Sequence, residues 1–581
     1  MNVGIDLTDE GYYLNWISNP WLYQYYVSQF GYIYHPIYKL LGNNLVYLRQ
    51  FNALFTYTLG FLMSYLILTR YSDGQNRFFF VAIGASIALP SLLILMITGH
   101  WLPSPSYNSL CFQGLMITVM GLVLSDNKIR YGQALSACCI GLGGWLVFMA
   151  KPSSALLLVA AVPLYYALEL KKYWRLLLGA ALVAATLVLL TAVSIDGSIL
   201  QFIKRYQLGL SLLDVMASNH EVKDLLRLDL FNVSTANKYR FLLLTGLITC
   251  VFLCIQRRSK NLILPITLVL SATIGVMLWH AISTNGIKIS TPRYHPLILL
   301  APLFAAMLCW PISHRINTSL KPKAKLIFIL VLLPYIYAAG SANNYWETAA
   351  GAMLFWTLAS LLILERSSVG QTQKIVLAVI VASITVKVLL AAQNSPYRQT
   401  EAIAQQSSRY INPHTQTVLL LPKDTATYLN DLSHLLHQSD FKKHTPVIDF
   451  TGHHPGTLYF MQAKAIGQAW AIGGYDGSND LAALALNQAS CHEIANAWLI
   501  IEKGGRHRID FRVLEKHGIL ADKNHYTKVG MINTKVLTDP GFVNPSHPDG
   551  RYEQFFLKPN SSDKQEKSCL AYRQQGRAPH F

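Results

Sequence analysis

Ile375-Val-Leu-Ala-Val-Ile-Val-Ala-Ser-Ile-Thr-Val-Lys-Val-Leu-Leu-Ala-Ala392 is long and apolar enough to cross a bilayer, and Lys387, close to one end, is its single charge. The run divides the chain in two. Upstream lie further apolar blocks near residues 48–69, 78–98, 108–125, 134–150, 153–170, 175–195, 240–256, 262–282, 292–311, 326–341 and 347–364, giving about twelve spans of the length a bilayer requires. Downstream, residues 395–581 return to the charge density of a soluble domain. The composition agrees with a polytopic membrane protein. The chain of 581 residues is 52% hydrophobic and 13% charged, with mean hydropathy +0.31, whereas soluble domains carry about 25% charged residues.

The net charge of +18 does not indicate a nucleic-acid partner. Residues 395–581 hold 20 Lys+Arg against 17 Asp+Glu, which leaves 28 against 13 in residues 1–394. The basic excess sits in alternate short loops: Arg70 and Arg77; Lys128 and Arg130; Lys171, Lys172 and Arg175; Arg257, Arg258 and Lys260; Arg315, Lys321, Lys323 and Lys325; Arg366 and Lys374. Such loops stay cytoplasmic. The other set then faces outward: residues 1–47, 99–107, 196–239, 283–291 and everything after 393. Residues 196–239 mix charged and large apolar side chains, which predicts amphipathic helices on the outer face or a surface-exposed helical loop. Met1-Asn-Val-Gly-Ile-Asp6 has neither the basic nor the apolar region of a signal peptide.

The soluble part reads as α/β. Thr417–Leu421, Pro446–Phe450 and Ala497–Ile501 are strand-like runs, Thr425–Gln438 and Asp480–Ala497 have helical periodicity, and the chain after Glu566 reads as a loose tail. Six cysteines lie in apolar spans; Cys491 and Cys569 can pair if their compartment is oxidising. There is no P-loop, no Gly-rich dinucleotide fingerprint and no metal-spaced Cys/His cluster.

The chemistry is concentrated ahead of the first span. Asp6-Leu-Thr-Asp-Glu-Gly-Tyr-Tyr13 places two adjacent carboxylates, Asp9 and Glu10, at the membrane surface, where they are costly unless solvated or used. Tyr34-His-Pro-Ile-Tyr38, Gly42 and Leu48-Arg-Gln-Phe-Asn-Ala53 follow, and Thr291-Pro-Arg-Tyr-His-Pro296 opens a late outer segment. In this order the motifs resemble those of the GT-C glycosyltransferases, and are similar to those of the dolichyl-phosphate-mannose protein mannosyltransferases and of bacterial lipid A aminoarabinose transferase. The resemblance covers residues 1–395 in organisation. It implies an all-α membrane domain of GT-C type over residues 48–394, a first outer loop over 1–47, and a non-cytoplasmic α/β domain over 395–581. The family's first helix has no counterpart here, so a span preceding Met1 is expected. The loop His100-Trp-Leu-Pro-Ser-Pro-Ser-Tyr-Asn108 lacks the carboxylate many relatives carry.

By the same resemblance the donor is a polyprenyl-phosphate sugar. Its lipid phosphate leaves readily, so the enzyme must supply a base for the acceptor and cations for the phosphate. The base falls at Asp9, and Glu10 orients the acceptor or a divalent cation; no other cofactor or metal is implied. Arg293 can grip phosphate through two parallel hydrogen bonds, with Tyr294 beside it. Tyr13, His35, His100 and Lys151 are further substrate-binding candidates, with His280 and His295 near the same face. Each has a plainer reading: Arg293 as an interfacial anchor, the histidines as structural groups, Lys151 as the cap of a helix break. Tyr12, Tyr13, Trp16, Tyr34, Tyr38, Trp101 and Tyr107 predict an aromatic outer surface that suits sugars and membrane interfaces alike. The expected activity is sugar transfer to a glycan, lipid or protein on the outer face of a bacterial inner membrane. The alternatives are a transporter or flippase for a lipid-linked precursor, though no internal repeat is found, and a membrane-anchored sensor.

Overall fold

The computed structural model describes residues 1–23, 26–71, 77–125, 132–215, 235–256, 295–309, 320–341, 345–364, 370–505, 507–534, 552–560 and 562–579. Among them, seven helices are long and apolar enough to cross a membrane: Leu45–Tyr71, Arg77–Leu95, Tyr107–Ser125, Gly132–Ala150, Ala167–Asp196, Lys238–Ile255 and Gln371–Asn394. Pro152–Tyr165, Leu300–Cys309 and Ala350–Leu364 are shorter apolar helices, and Leu320–Ala338 is also helical. The expected span 262–282 lies outside the described residues.

Local chemistry explains several boundaries. The span from Arg77 is α-helical to Ala88 and then tightens to a 3-10 turn over Leu89–Leu95, where Pro90 cannot donate to the α-helical ladder. The 134–170 region breaks at Lys151 because Pro152 opens the next helix at its first turn. Helices Tyr107–Ser125 and Gly132–Ala150 pack backbone to backbone. A Cβ on Gly114 would stand 2.8 Å from the Gly143 carbonyl, the close approach that small residues permit between membrane helices. Leu178, Leu182 and Leu190 point outward from Leu170–Asp196, a surface suited to lipid tails rather than water.

Residues 395–581 contain the expected α/β unit. Strands β1 (Met96–Ile97) and β2 (His100–Trp101) form a small hairpin in the membrane half; β3 (Ser408–Ile411) and β4 (Val418–Leu421) form another in the C-terminal part. β5 (Pro446–Asp449), β6 (Lys464–Ala465), β7 (Trp498–Lys503), β8 (Tyr526–Thr534) and β9 (Tyr552–Pro559) form one sheet in the order β6-β5-β7-β9-β8. The first three are parallel, and β9 and β8 are antiparallel additions. The Asp480–Ala497 periodicity splits into helices Ser478–Leu486 and Cys491–Ala495, because Ser490 and Glu493 form a reciprocal cap at the start of the second. The expected loose tail is instead helix Ser562–Gln574, held by the Cys491–Cys569 disulfide and by both ends of the Gln565 amide on the Leu520 backbone.

The N-terminal segment belongs to this unit as much as to the membrane half. Val3 pairs with Leu420 in parallel, the Gly4 N–H donates to the Leu420 carbonyl at 2.8 Å, and the Leu420 N–H donates to Asn2 at 2.9 Å. Helix α1 (Asp9–Ser18) then packs on helix Pro455–Met461. The Gly456 N–H donates to the Leu7 carbonyl at 2.8 Å, and Asn15 Nδ2 donates to the carbonyls of Pro455 and Ala469. Gly11 faces the Gly456 backbone with no room for a Cβ, and a Cβ on Gly456 would stand 2.9 Å from Leu7 Cα. No flexible side chain can yield there. Gly11→Ala is therefore expected to cost about 1–3 kcal/mol, read as a lower midpoint of thermal unfolding in detergent. An unchanged midpoint would mean that the helices do not touch at Gly11.

This docking changes the aromatic surface expected near residues 12–107. Tyr12, Tyr13, Trp16, Tyr34, Tyr38 and Trp101 are all buried. The Tyr34 hydroxyl donates to Gln113 at 2.9 Å, and the Tyr38 and Tyr459 hydroxyls meet at 2.8 Å. These rings fill the seam between the helices and the C-terminal unit rather than facing water.

Candidate active site

The two adjacent carboxylates have different surroundings because successive helix positions point in different directions. Asp6 sets up the turn: Oδ1 accepts from the Thr8 N–H and hydroxyl, and Oδ2 accepts from the Glu10 N–H. Burial and the neighbouring Asp9 push the Asp6 carboxyl up to about 7.

Glu10 points inward. It is 0% exposed and Arg49, from α2 (Leu45–Tyr71), is 1% exposed. Glu10 Oε1 accepts from Arg49 Nε at 2.9 Å, from Arg49 Nη2 at 2.7 Å and from the Ser104 hydroxyl, while Oε2 accepts from the Asp6 N–H at 3.0 Å. Arg49 also donates to the Met1 and Gly4 carbonyls. Both Glu10 oxygens accept hydrogen bonds from protein groups, and through Arg49 Glu10 clamps the N-terminal segment to α2.

Asp9 points the other way. Its side chain is 19% exposed, and Arg398 Nη1, 31% exposed, stands 3.0 Å from Oδ2. The approach is off the axis of a directed hydrogen bond. Arg398 has a left-handed backbone, φ 51°, which is uncommon for a side chain with a Cβ, and its guanidinium lies over the Tyr397 ring. That turn is fixed by the Tyr397 N–H donating to the Trp101 carbonyl at 3.1 Å. Burial raises the Asp9 carboxyl above the usual carboxylate range, against the pull of Arg398 and a hydrogen bond from Tyr397. Arg398→Gln removes a cation that favours the ionised form, so the acid limb of any Asp9-dependent reaction should move to higher pH. A kcat/KM profile against pH checks this; an unmoved limb would separate Arg398 from Asp9.

Tyr13 lies edge-on to Tyr107, and the Lys151 ammonium sits 5.4 Å from the centre of the Tyr107 ring. Lys151 is buried, donates to the Tyr337 carbonyl at 3.0 Å and faces the Tyr337 ring at 4.6 Å. Tyr13, Tyr107 and Lys151 thus form a line from the seam into the helices, with Asp9 one turn before Tyr13 on α1. Beside it, Tyr12, Trp16, Tyr23, Tyr26, Gln468 and Trp470 line a narrow aromatic cleft whose free space is about 10 Å³, room for about one water.

Of His35 and His100, His100 stands next to the Asp9–Arg398 pair, its ring centre 6.2 Å from that of Tyr397, and His35 has other partners. His35 Nδ1 is 2.7 Å from the Ile17 carbonyl and its ring meets Trp21 edge-on. His100 Nδ1 contacts the Ser395 carbonyl at 2.9 Å and tethers the start of the C-terminal unit. Arg293 and Tyr294 lie outside the described residues. Arg398 and Tyr397 were not anticipated from sequence; the only signal was a Tyr-Arg pair just past the last span. A separate buried cluster, His453, His454 and Glu502, stands at one edge of the large sheet.

Comparison with protein-family models, with curated proteins and with solved structures finds no match to the chain.

Proposed function

We propose that this chain is a membrane glycosyltransferase of GT-C type that transfers a sugar from a polyprenyl-phosphate donor to a cell-envelope glycan, lipid or protein. The observation that supports this most is the Asp9–Arg398 pair. It is a carboxylate kept partly open at the seam between membrane helices and a folded unit, beside an aromatic cleft. In this reading Asp9 takes the proton of the acceptor hydroxyl or amine as that group attacks the anomeric carbon. The bond to the lipid phosphate breaks, and the polyprenyl phosphate leaves with the electron pair. Arg398 favours the ionised form of Asp9, and the aromatic rings at Tyr12, Trp16 and Trp470 part to take a sugar ring against their faces. Lys151, with Arg293 and Tyr294 from the late outer segment, holds the phosphate. Attack opposite the leaving group inverts the anomeric centre. The membrane half then has about twelve spans, and residues 1–47 and 395–581 face the bacterial periplasm.

The test is to incubate purified protein with a panel of polyprenyl-phosphate sugars and envelope acceptors, and to follow labelled sugar into product. The parallel measurement is movement of the same intact lipids across proteoliposome membranes. Label in a new covalent product with release of polyprenyl phosphate supports transfer. Translocation of the unchanged lipid alone would replace this reading with the flippase.

A further inference from the structure

β5 and β7 are parallel neighbours, so their C-terminal ends open on one edge of the sheet. β5 runs out through Asp449 into Thr451-Gly-His-His454, and β7 delivers Glu502. His453, His454 and Glu502 are all buried, at 6%, 0% and 1% exposure. Residues of these types are seldom buried together without a shared purpose.

The hydrogen bonds fix how the rings are turned. His453 Nδ1 lies 2.8 Å from the Thr451 carbonyl. A carbonyl only accepts, so Nδ1 carries the proton and Nε2 presents a lone pair. That lone pair faces Glu502 Oε1 at 3.6 Å, and Oε1 accepts no hydrogen bond among the described residues. On the other side, Gln554 is oriented by the Tyr428 hydroxyl, which donates to its carbonyl oxygen at 2.8 Å. Its amide nitrogen is thereby turned to Glu502 Oε2 at 3.0 Å and His454 Nδ1 at 2.7 Å. His454 Nδ1 is therefore also an acceptor, 3.9 Å from Glu502 Oε2. The His453 Nε2 lone pair thus faces a carboxylate inside the protein, with the His454 Nδ1 acceptor, shared with Gln554, beside the same carboxylate, an arrangement that calls for a positive charge between them.

We propose that His453 Nε2, His454 Nδ1 and Glu502 hold one divalent transition-metal cation of the zinc class. Ligand atoms around a tetrahedral zinc stand about 3.4 Å apart. The 3.6 Å and 3.9 Å separations are close to that, and the three ligand atoms lie within 4.8 Å of one another. Two imidazoles and one carboxylate select zinc, cobalt or nickel over magnesium or calcium, which prefer oxygen-only shells. The cation takes the place of the Gln554 N–H at His454, while Gln554 stays on Glu502 Oε2 and the Thr451 carbonyl holds the His453 ring, the outer support such sites carry. Three protein ligands leave a fourth position for water or a substrate oxygen. Pro455 follows His454 directly and opens the helix on which α1 rests, so the cation also fixes the seat of α1.

The test uses the full-length chain, purified in detergent with any His tag removed, stripped with a chelator and titrated with Co²⁺ and then Zn²⁺. About one Co²⁺ per chain is expected, with the visible absorption of a low-coordinate site that Zn²⁺ abolishes. His453→Ala and Glu502→Gln should lose that spectrum. Gln554→Met, which keeps all three ligands, should weaken binding about 10- to 100-fold. A monodisperse wild-type chain that takes up no Co²⁺ or Zn²⁺ would overturn the proposal, as would both ligand variants binding as tightly as wild type.

Discussion

Asp9→Asn should lower the turnover of sugar transfer by about 10²- to 10⁴-fold, the usual contribution of a positioned general base, with donor affinity nearly unchanged. The amide keeps the shape of the side chain but cannot take a proton at neutral pH. The fold should tolerate the change. Asp9 is partly exposed and its partner Arg398 is 31% exposed, so an unpaired Arg398 can turn to water at little cost. The readout is kcat at saturating donor in detergent, with the elution profile as a check on folding. Wild-type turnover in Asp9→Asn would remove Asp9 from the chemistry. The double variant Asp9→Asn/Arg398→Gln should be no slower than Asp9→Asn alone if, as proposed, Arg398 acts only by favouring the ionised form of Asp9.

Glu10→Gln should fail in a different way, through stability. The variant leaves the buried Arg49 charge facing a neutral amide. Breaking a buried ion pair from one side costs about 3–5 kcal/mol, a large part of the stability of any domain. The expected result is low yield and a marked drop in the midpoint of thermal unfolding. Glu10→Leu/Arg49→Met should be less harmful than either single change, since no charge is then stranded. A Glu10→Gln protein as stable as wild type, but slow in transfer, would return Glu10 to the reaction.

The contrast between these neighbouring residues shows where sequence reading stops. Apolar blocks identify membrane helices because bilayer thickness fixes their length, and the strands at Val418–Leu421, Pro446–Asp449 and Trp498–Lys503 stand out as short runs between turns. Which of Asp9 and Glu10 faces inward depends on the angle at which α1 enters, and that is set by the nearby Asp6 together with Arg49 and Gly456, which are distant in sequence. The aromatic residues were legible as a cluster but not as an interior, because nothing local announces that a unit beginning near residue 395 covers them. Arg398 was hidden for the same reason. His453-His454 and Glu502 meet only because β5 and β7 are adjacent and parallel, a pairing no linear spacing encodes. The tail was misread because the Cys491–Cys569 bond and Gln565, rather than helix periodicity, hold Ser562–Gln574 in place.

The most direct measurement of the central claim is an experimental structure of the Asp9→Asn protein in lipid nanodiscs with a polyprenyl-phosphate sugar bound. The sugar is expected at the seam beside Tyr12 and Trp470, with residue 9 facing the anomeric carbon across a gap that admits one acceptor group within about 3 Å of the side chain, and with the phosphate on the side of Lys151. A donor bound elsewhere, with residue 9 and Arg398 screened from it by protein, would contradict the account.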